Sequence, residues 1–204
     1  MVTKKDWDRH WVKKKAKATI NKKRMMKILD KYSKGIVLDA GCGTGFFSKY
    51  FVNKGCKAFA VDYSNNAVSM TKSLDKRIGI IKADVMKIPS KDETFDMVFT
   101  DGLLEHFKNP GRILQEFRRV LKNDGLVATF VPNRYSYWML VKPFLMGHIE
   151  EYRFTLKSLG GLHNKNGFKI IESGGFTVIP SKISPEFMGR YIGRILYVIA
   201  RVNK

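Results

Sequence analysis

Apolar residues recur every seven positions at Trp11, Ala18, Met25 and Tyr32, and Ile28 and Leu29 fill the same face. That spacing predicts one long helix over residues 5 to 32, ended by Gly35. The pattern then changes period. GIVLDA is a short β-branched run that reads as a buried strand, followed by a glycine-rich loop and the helix FFSKYFVNKG, which Gly55 closes. KAFAVD is a second strand, and Ser64 is placed to cap a helix running to Leu74. RIGIIKAD and FDMVFTD are a third and a fourth strand, separated by the turn residues SKDET. Asn109 and Pro110 open a helix whose buried face is Ile113, Leu114, Phe117, Val120 and Leu121, with proline at the first helical position. LKNDG reads as a turn before a fifth strand, LVATFV. FTLKSLGGLHNKNGF reads as a helix weakened by Gly160 and Gly161, and FKIIES and ILYVIARV as two further strands. Strands alternating with helices in this way form a parallel sheet covered on both faces.

No linker or repeat divides the 204 residues, so one domain is expected over 1–204. Charge changes this picture at one end. The chain carries a formal net charge of +20, with 38 Lys and Arg against 18 Asp and Glu. Residues 1–34 form a basic N-terminal arm that suits phosphate backbones or an anionic membrane surface, or simply a solvated helix face. The two cysteines, Cys42 and Cys56, have neither metal spacing nor the makings of a disulfide framework. The first residues are charged from Lys4 onward and hold no apolar leader-like stretch, which predicts a cytoplasmic setting. No run reaches the roughly 18 apolar residues of a membrane span. YWMLVKPFLMG comes nearest, and Lys142 and Pro143 interrupt it.

The candidate chemistry lies in LDAGCGTGFFSKYF. Gly41, Gly43 and Gly45 follow a strand and open a helix, so the loop's backbone can approach a ligand closely. Dinucleotide loops read G-x-G-x-x-G with an acidic residue about 20 residues further on. Here the third glycine arrives one residue early, which disfavours a nicotinamide oxidoreductase. Asp62 ends the second strand, placed to accept hydrogen bonds from a ribose diol.

VLDAGCGTG matches D-x-G-x-G-x-G, and with AVDYS, KADVMKIPSKDETFDMVFTDGLLEHF and RVLKNDGLVATFVPN it resembles the class I S-adenosylmethionine-dependent methyltransferases over residues 36 to 133. The methyltransferase type 11 group, with "LEH" after its fourth strand, is the most similar. The resemblance implies an α/β, Rossmann-like, doubly wound seven-stranded sheet, mostly parallel with an antiparallel last strand. It also implies S-adenosylmethionine as methyl donor. Asp39 would take the donor's ammonium, directly or through water. Gly41, Cys42 and Gly43 would carry its backbone-facing side, and Asp62 and Tyr63 its ribose. Asp84 would accept from the adenine amine, with Val85 and Met86 flanking the base, and Thr100 would complete the cofactor set at the fourth strand's end.

His106 is the candidate catalytic base, with capping or packing at a loop as its alternative role. Relatives with E-x-x-E-H bind a divalent metal here. This chain has Gly102 at the first glutamate's position, so no metal is expected. Residues 133–154 sit where the family places a substrate cap. Tyr135, Tyr137 and Trp138, with Phe144 and Met146, would wall a pocket for a small, lipophilic acceptor or touch a membrane peripherally; core packing is the alternative. An RNA methyltransferase using the basic arm and a non-catalytic donor-binding protein remain alternatives. Nucleic acid is not favoured, because neither an RNP-like stacking pattern nor an N-P-P-Y motif is present, and no partner protein is evident. The arm is long enough to lie across the donor site as a lid, with Trp7 and Trp11 sealing it.

Overall fold

The structure is a computed structural model that describes residues 4–12, 15–136, 152–176 and 193–203. In chain order the elements are α1 (Lys4–Trp11), α2 (Ile20–Leu29), β1 (Ile36–Ala40), α3 (Phe46–Asn53), β2 (Lys57–Asp62), α4 (Asn65–Leu74), β3 (Gly79–Lys82) and β4 (Phe95–Asp101). A 3₁₀ turn (Leu104–His106), α5 (Pro110–Val120), β5 (Leu121–Pro132), α6 (Leu156–Lys165), β6 (Phe168–Phe176) and β7 (Ile195–Val202) complete them.

The seven strands form one sheet in the order β3-β2-β1-β4-β5-β7-β6. β1 pairs in parallel with β2 and β4, β2 with β3, and β4 with β5. β7 runs antiparallel to both of its neighbours. This is the expected mostly parallel sheet with an antiparallel last strand. Strand order reverses between β1 and β4, and ligands of open α/β sheets bind at such a switch point, beyond the strands' carboxyl ends.

Adjacent strand residues point to opposite faces, and both faces are apolar. Leu38, Val98, Leu114, Phe117 and Val127 pack in one layer. Val37, Phe51, Met97, Phe99 and Phe130 pack in the other, with Met25 and Leu29 of α2. α5 begins at Pro110 as expected, and Ser64 caps α4 by accepting from Ala67 N at 3.3 Å.

The single helix expected over 5 to 32 is two helices. Residues 15–19 are irregular, and Thr19 starts α2 afresh by accepting a hydrogen bond from Lys22 N at 3.3 Å. The physical reason is tertiary. Breaking the helix lets Trp11 turn onto the glycine loop while Met25 stays in the core, and Ala18 is left exposed. The LKNDG stretch also departs from the expected turn. It is continuous with β5, and Leu121 pairs with Phe95 before the register shifts between Phe95 and Met97. Among the described residues, no helix is long and apolar enough to cross a membrane.

Candidate donor site

β1 delivers Asp39 to the sheet's carboxyl end, 3% exposed, and Ser48 of α3 donates its hydroxyl to Asp39 Oδ2 at 2.5 Å. Burial pushes this carboxyl up to about 7, against the Ser48 hydrogen bond, and the Asp101 and Asp62 carboxylates add to the rise. A group so raised needs a cation to hold its charge at neutral pH.

The loop after β1 is tied to β2 by backbone. Gly41 N and Cys42 N donate to Val61 O at 2.8 and 3.1 Å. Gly43 N donates to Asp62 Oδ2 at 3.0 Å, and Ser64 N to Asp62 Oδ1 at 2.9 Å. Each carboxylate oxygen keeps a lone pair, so Asp62 can anchor the loop and still accept from a diol. Burial raises its pKa. Gly43 and Gly45 both sit in the left-handed region, at φ 51° and 70°. A Cβ on Gly45 would come within 2.7 Å of Thr71 Oγ1 and 3.0 Å of its Cα, which explains the early third glycine: α4 packs directly on it. Cys42 contacts Thr71 Oγ1 at 3.5 Å, and burial pushes its thiol well above the usual range, so it is a packing residue.

The remaining expected donor residues divide. Tyr63 is 37% exposed at the end of β2. Asp84 is exposed after β3 and accepts from Met86 N at 2.9 Å. Val85 is buried in the apolar layer with Ile88, while Met86 is 38% exposed. The Thr100 hydroxyl is fully buried and has no hydrogen-bond partner among the described residues.

Two residues escaped the sequence reading. Asp101 ends β4, and burial pushes it up to about 6, countered by the charge of Lys22. Lys22 of α2 feels the charge of both Asp101 and Asp39. Its ammonium stands 4.2 Å from the Phe46 ring centre, burial lowers its pKa, and Asp101 and Asp39 hold it up. No local signal marks Lys22, since a lysine in a basic arm looks like every other. Asp101 carried the signal of a strand-end acid like Asp39 and Asp62.

His106 sits in the 3₁₀ turn beyond β4, its Nε2 4.0 Å from Glu105 Oε1 and its ring 4.8 Å from that of Trp7, edge to face. Trp7 also stacks on Trp11 at 6.3 Å. Tyr135 is 63% exposed, while Tyr137 and Trp138 lie outside the described residues. Both flanks of the expected cap come near the site. Arg134 N donates to Phe154 O at 2.8 Å, and Tyr152 N to Glu105 O at 2.6 Å. His163 is structural. Leu159 O can only accept, so Nδ1–H donates to it at 2.9 Å, and Nε2 accepts from Thr129 Oγ1 at 3.0 Å.

Asp39 and Asp62 thus lie buried at successive strand ends with the glycine loop between them, and Asp84 stands exposed after the third. Residues 38–129 match the family described as "Methyltransferase domain". An uncharacterised protein of Methanocaldococcus jannaschii is 34% identical over 152 residues, 74% of this chain and 63% of that protein. A protein of Mycobacterium tuberculosis named as a probable S-adenosylmethionine-dependent methyltransferase is 32% identical over 101 residues, 50% of this chain and 37% of that protein. This chain therefore spans less than two thirds of the length of these relatives. A chain of the solved complex containing the Haloferax volcanii Trm112 methyltransferase activator shares the fold, with a TM-score of 0.73, 15% identity and 98% of each chain covered. The glycine loop, the ordered strand-end acids and the matched residues together identify residues 38–129 as a methyltransferase domain similar to those of S-adenosylmethionine-dependent methyltransferases.

Proposed function

We propose that the chain transfers a methyl group from S-adenosylmethionine to a small, lipophilic acceptor. The observation that carries this reading is the pair Asp39 and Asp62, two buried carboxylates bracketing the glycine loop at successive strand ends. The donor, when bound, supplies an activated methyl and the driving force. The chain's own residues have to bind, orient and exclude water. Asp39 holds the ammonium end, Asp62 the ribose and Asp84 the adenine edge. His106, at the turn beyond β4, takes the acceptor's proton where the nucleophile carries one. The acceptor's place is supported by the flank of the 133–154 segment, whose Tyr152 N donates to Glu105 O beside His106.

Calorimetry with S-adenosylmethionine, its demethylated product S-adenosylhomocysteine and NAD tests the reading. Saturable binding of the first two is expected, and binding of NAD alone would refute it. A second reading, methylation of RNA, is favoured by the exposed Lys15, Lys17, Lys23 and Lys27 of the arm. It requires affinity for single strands to fall with salt at a log–log slope of roughly −0.7 per neutralised phosphate. An activating partner protein also enters the expectations, because the Haloferax chain was solved in a complex with an activator.

A further inference from the structure

The arm meets the glycine loop and the neighbouring strand ends through Trp11, Lys22, Asp8 and Trp7. Trp11 presses its six-membered ring against the loop: a Cβ on Gly43 would come within 2.6 Å of Trp11 Cη2 and 2.8 Å of Cζ2. No space for another group remains between ring and loop. Lys22 holds a cation over the Phe46 ring at 4.2 Å, within electrostatic reach of Asp101 and Asp39. Asp8 pins the arm next to Asp62. Its Oδ1 accepts from Ser64 Oγ at 2.6 Å and Asn66 N at 3.4 Å, and its carbonyl oxygen accepts from Asn66 Nδ2 at 2.8 Å. Trp7 continues the contact onto His106 at 4.8 Å.

We propose that the N-terminal arm occupies the donor's own seat, with Trp11 filling the place against Gly43 and Lys22 standing in for the donor's ammonium, so that the donor enters only by displacing the arm. The inference rests on the donor-site reading above and goes beyond a lid. A lid closes over a bound donor and strengthens its binding. An arm in the donor's seat competes with it, and the apparent dissociation constant rises by the inverse of the open fraction. The contact is self-inhibitory, and whatever pulls on the basic arm, an anionic surface or a partner, opens the site.

The test compares the full-length protein with its Trp11→Ala and Asp8→Ala variants, using S-adenosylhomocysteine as the probe. Asp8→Ala frees α1 from α4 and leaves the glycine loop intact, so it carries the test should Trp11→Ala fold poorly. Both variants are expected to bind the probe more tightly, by about tenfold if the arm is open about a tenth of the time. In stopped-flow fluorescence the wild-type binding rate should level off at high probe concentration, limited by arm opening. The probe should also speed tryptic cleavage at Lys15 and Lys17. Weaker binding in both variants, with faster release and with cleavage slowed by the probe, would show a clamp and overturn the proposal. Unchanged affinity in both would do so as well. Absence of binding in all three proteins would instead remove the donor-site reading, and the inference with it.

Discussion

Lowering the pH from 7 to 5 should weaken donor binding, and the pKa of Asp39 sets the size of the effect. Its carboxyl titrates near 7, because burial and the neighbouring Asp101 and Asp62 outweigh the Ser48 hydrogen bond. The donor's ammonium stays charged throughout this window, since amino groups titrate near or above about 8. Only ionised Asp39 pairs with it. Half of the Asp39 carboxyls are ionised at pH 7 and about one in a hundred at pH 5, so affinity should fall by up to about 50-fold, or about 2 kcal/mol. That figure is an upper one. Asp101, pushed up to about 6, protonates in the same window and relieves Asp39. Lys22, the nearby cation, stays charged and leaves as the donor enters. Calorimetric titration with S-adenosylhomocysteine at half-unit pH steps measures the slope, and Asp39→Asn should flatten it. A flat wild-type curve, or the same slope in the variant, would refute the assignment of Asp39 to the ammonium.

Three further outcomes follow from the same geometry. His163 is held neutral, its pKa lowered to about 4 by burial against the opposing Leu159 hydrogen bond. The unfolded chain takes up this proton near 6.5 and the folded chain only near 4, so stability present above pH 6.5 is lost as pH falls. The loss should reach about 3 kcal/mol by pH 4. Urea unfolding of wild type and His163→Gln should show the stability difference shrinking over that window, and parallel curves would contradict it. Gly45→Ala should destabilise by about 2–4 kcal/mol through left-handed strain and overlap with Thr71, read as a lower urea midpoint; a midpoint within error of wild type would contradict the packing account. Trp138→Ala should leave donor affinity within about twofold and reduce turnover; a lower melting temperature with full activity per folded molecule would make 133–154 core instead of cap.

Local features were the legible ones. The glycine loop, Ser64 and Pro110 each declare themselves within a few residues, because a left-handed turn, a cap and a first helical position need particular residue types. Asp39 and Asp62 were legible because a strand end fixes where a side chain arrives. The arm was not. The seven-residue spacing from Trp11 to Tyr32 is a genuine helical signal, but the half-buried Trp11 rests on the glycine loop while Met25 is buried in the core. Periodicity cannot distinguish one partner from two. Lys22 was invisible for a related reason: its role exists only once α2 has packed beside the ends of β1 and β4.

The place of β7 bears on how the molecule is made. β7 follows the other described strands in chain order, yet it lies inside the sheet, between β5 and β6. During synthesis β1 to β5 can pair as they emerge, while β5 keeps an open edge and β6 has no partner strand among the described residues. Both wait for Ile195–Val202, which pairs with β5 from Leu126 to Pro132 and with β6 from Phe168 to Phe176. The open edge of β5 presents Val127, Phe130 and Val131, a short apolar template for pairing with another copy. Ribosome stalling or nonsense mutation ahead of residue 195 should therefore yield an aggregation-prone chain in which the whole glycine loop is already present.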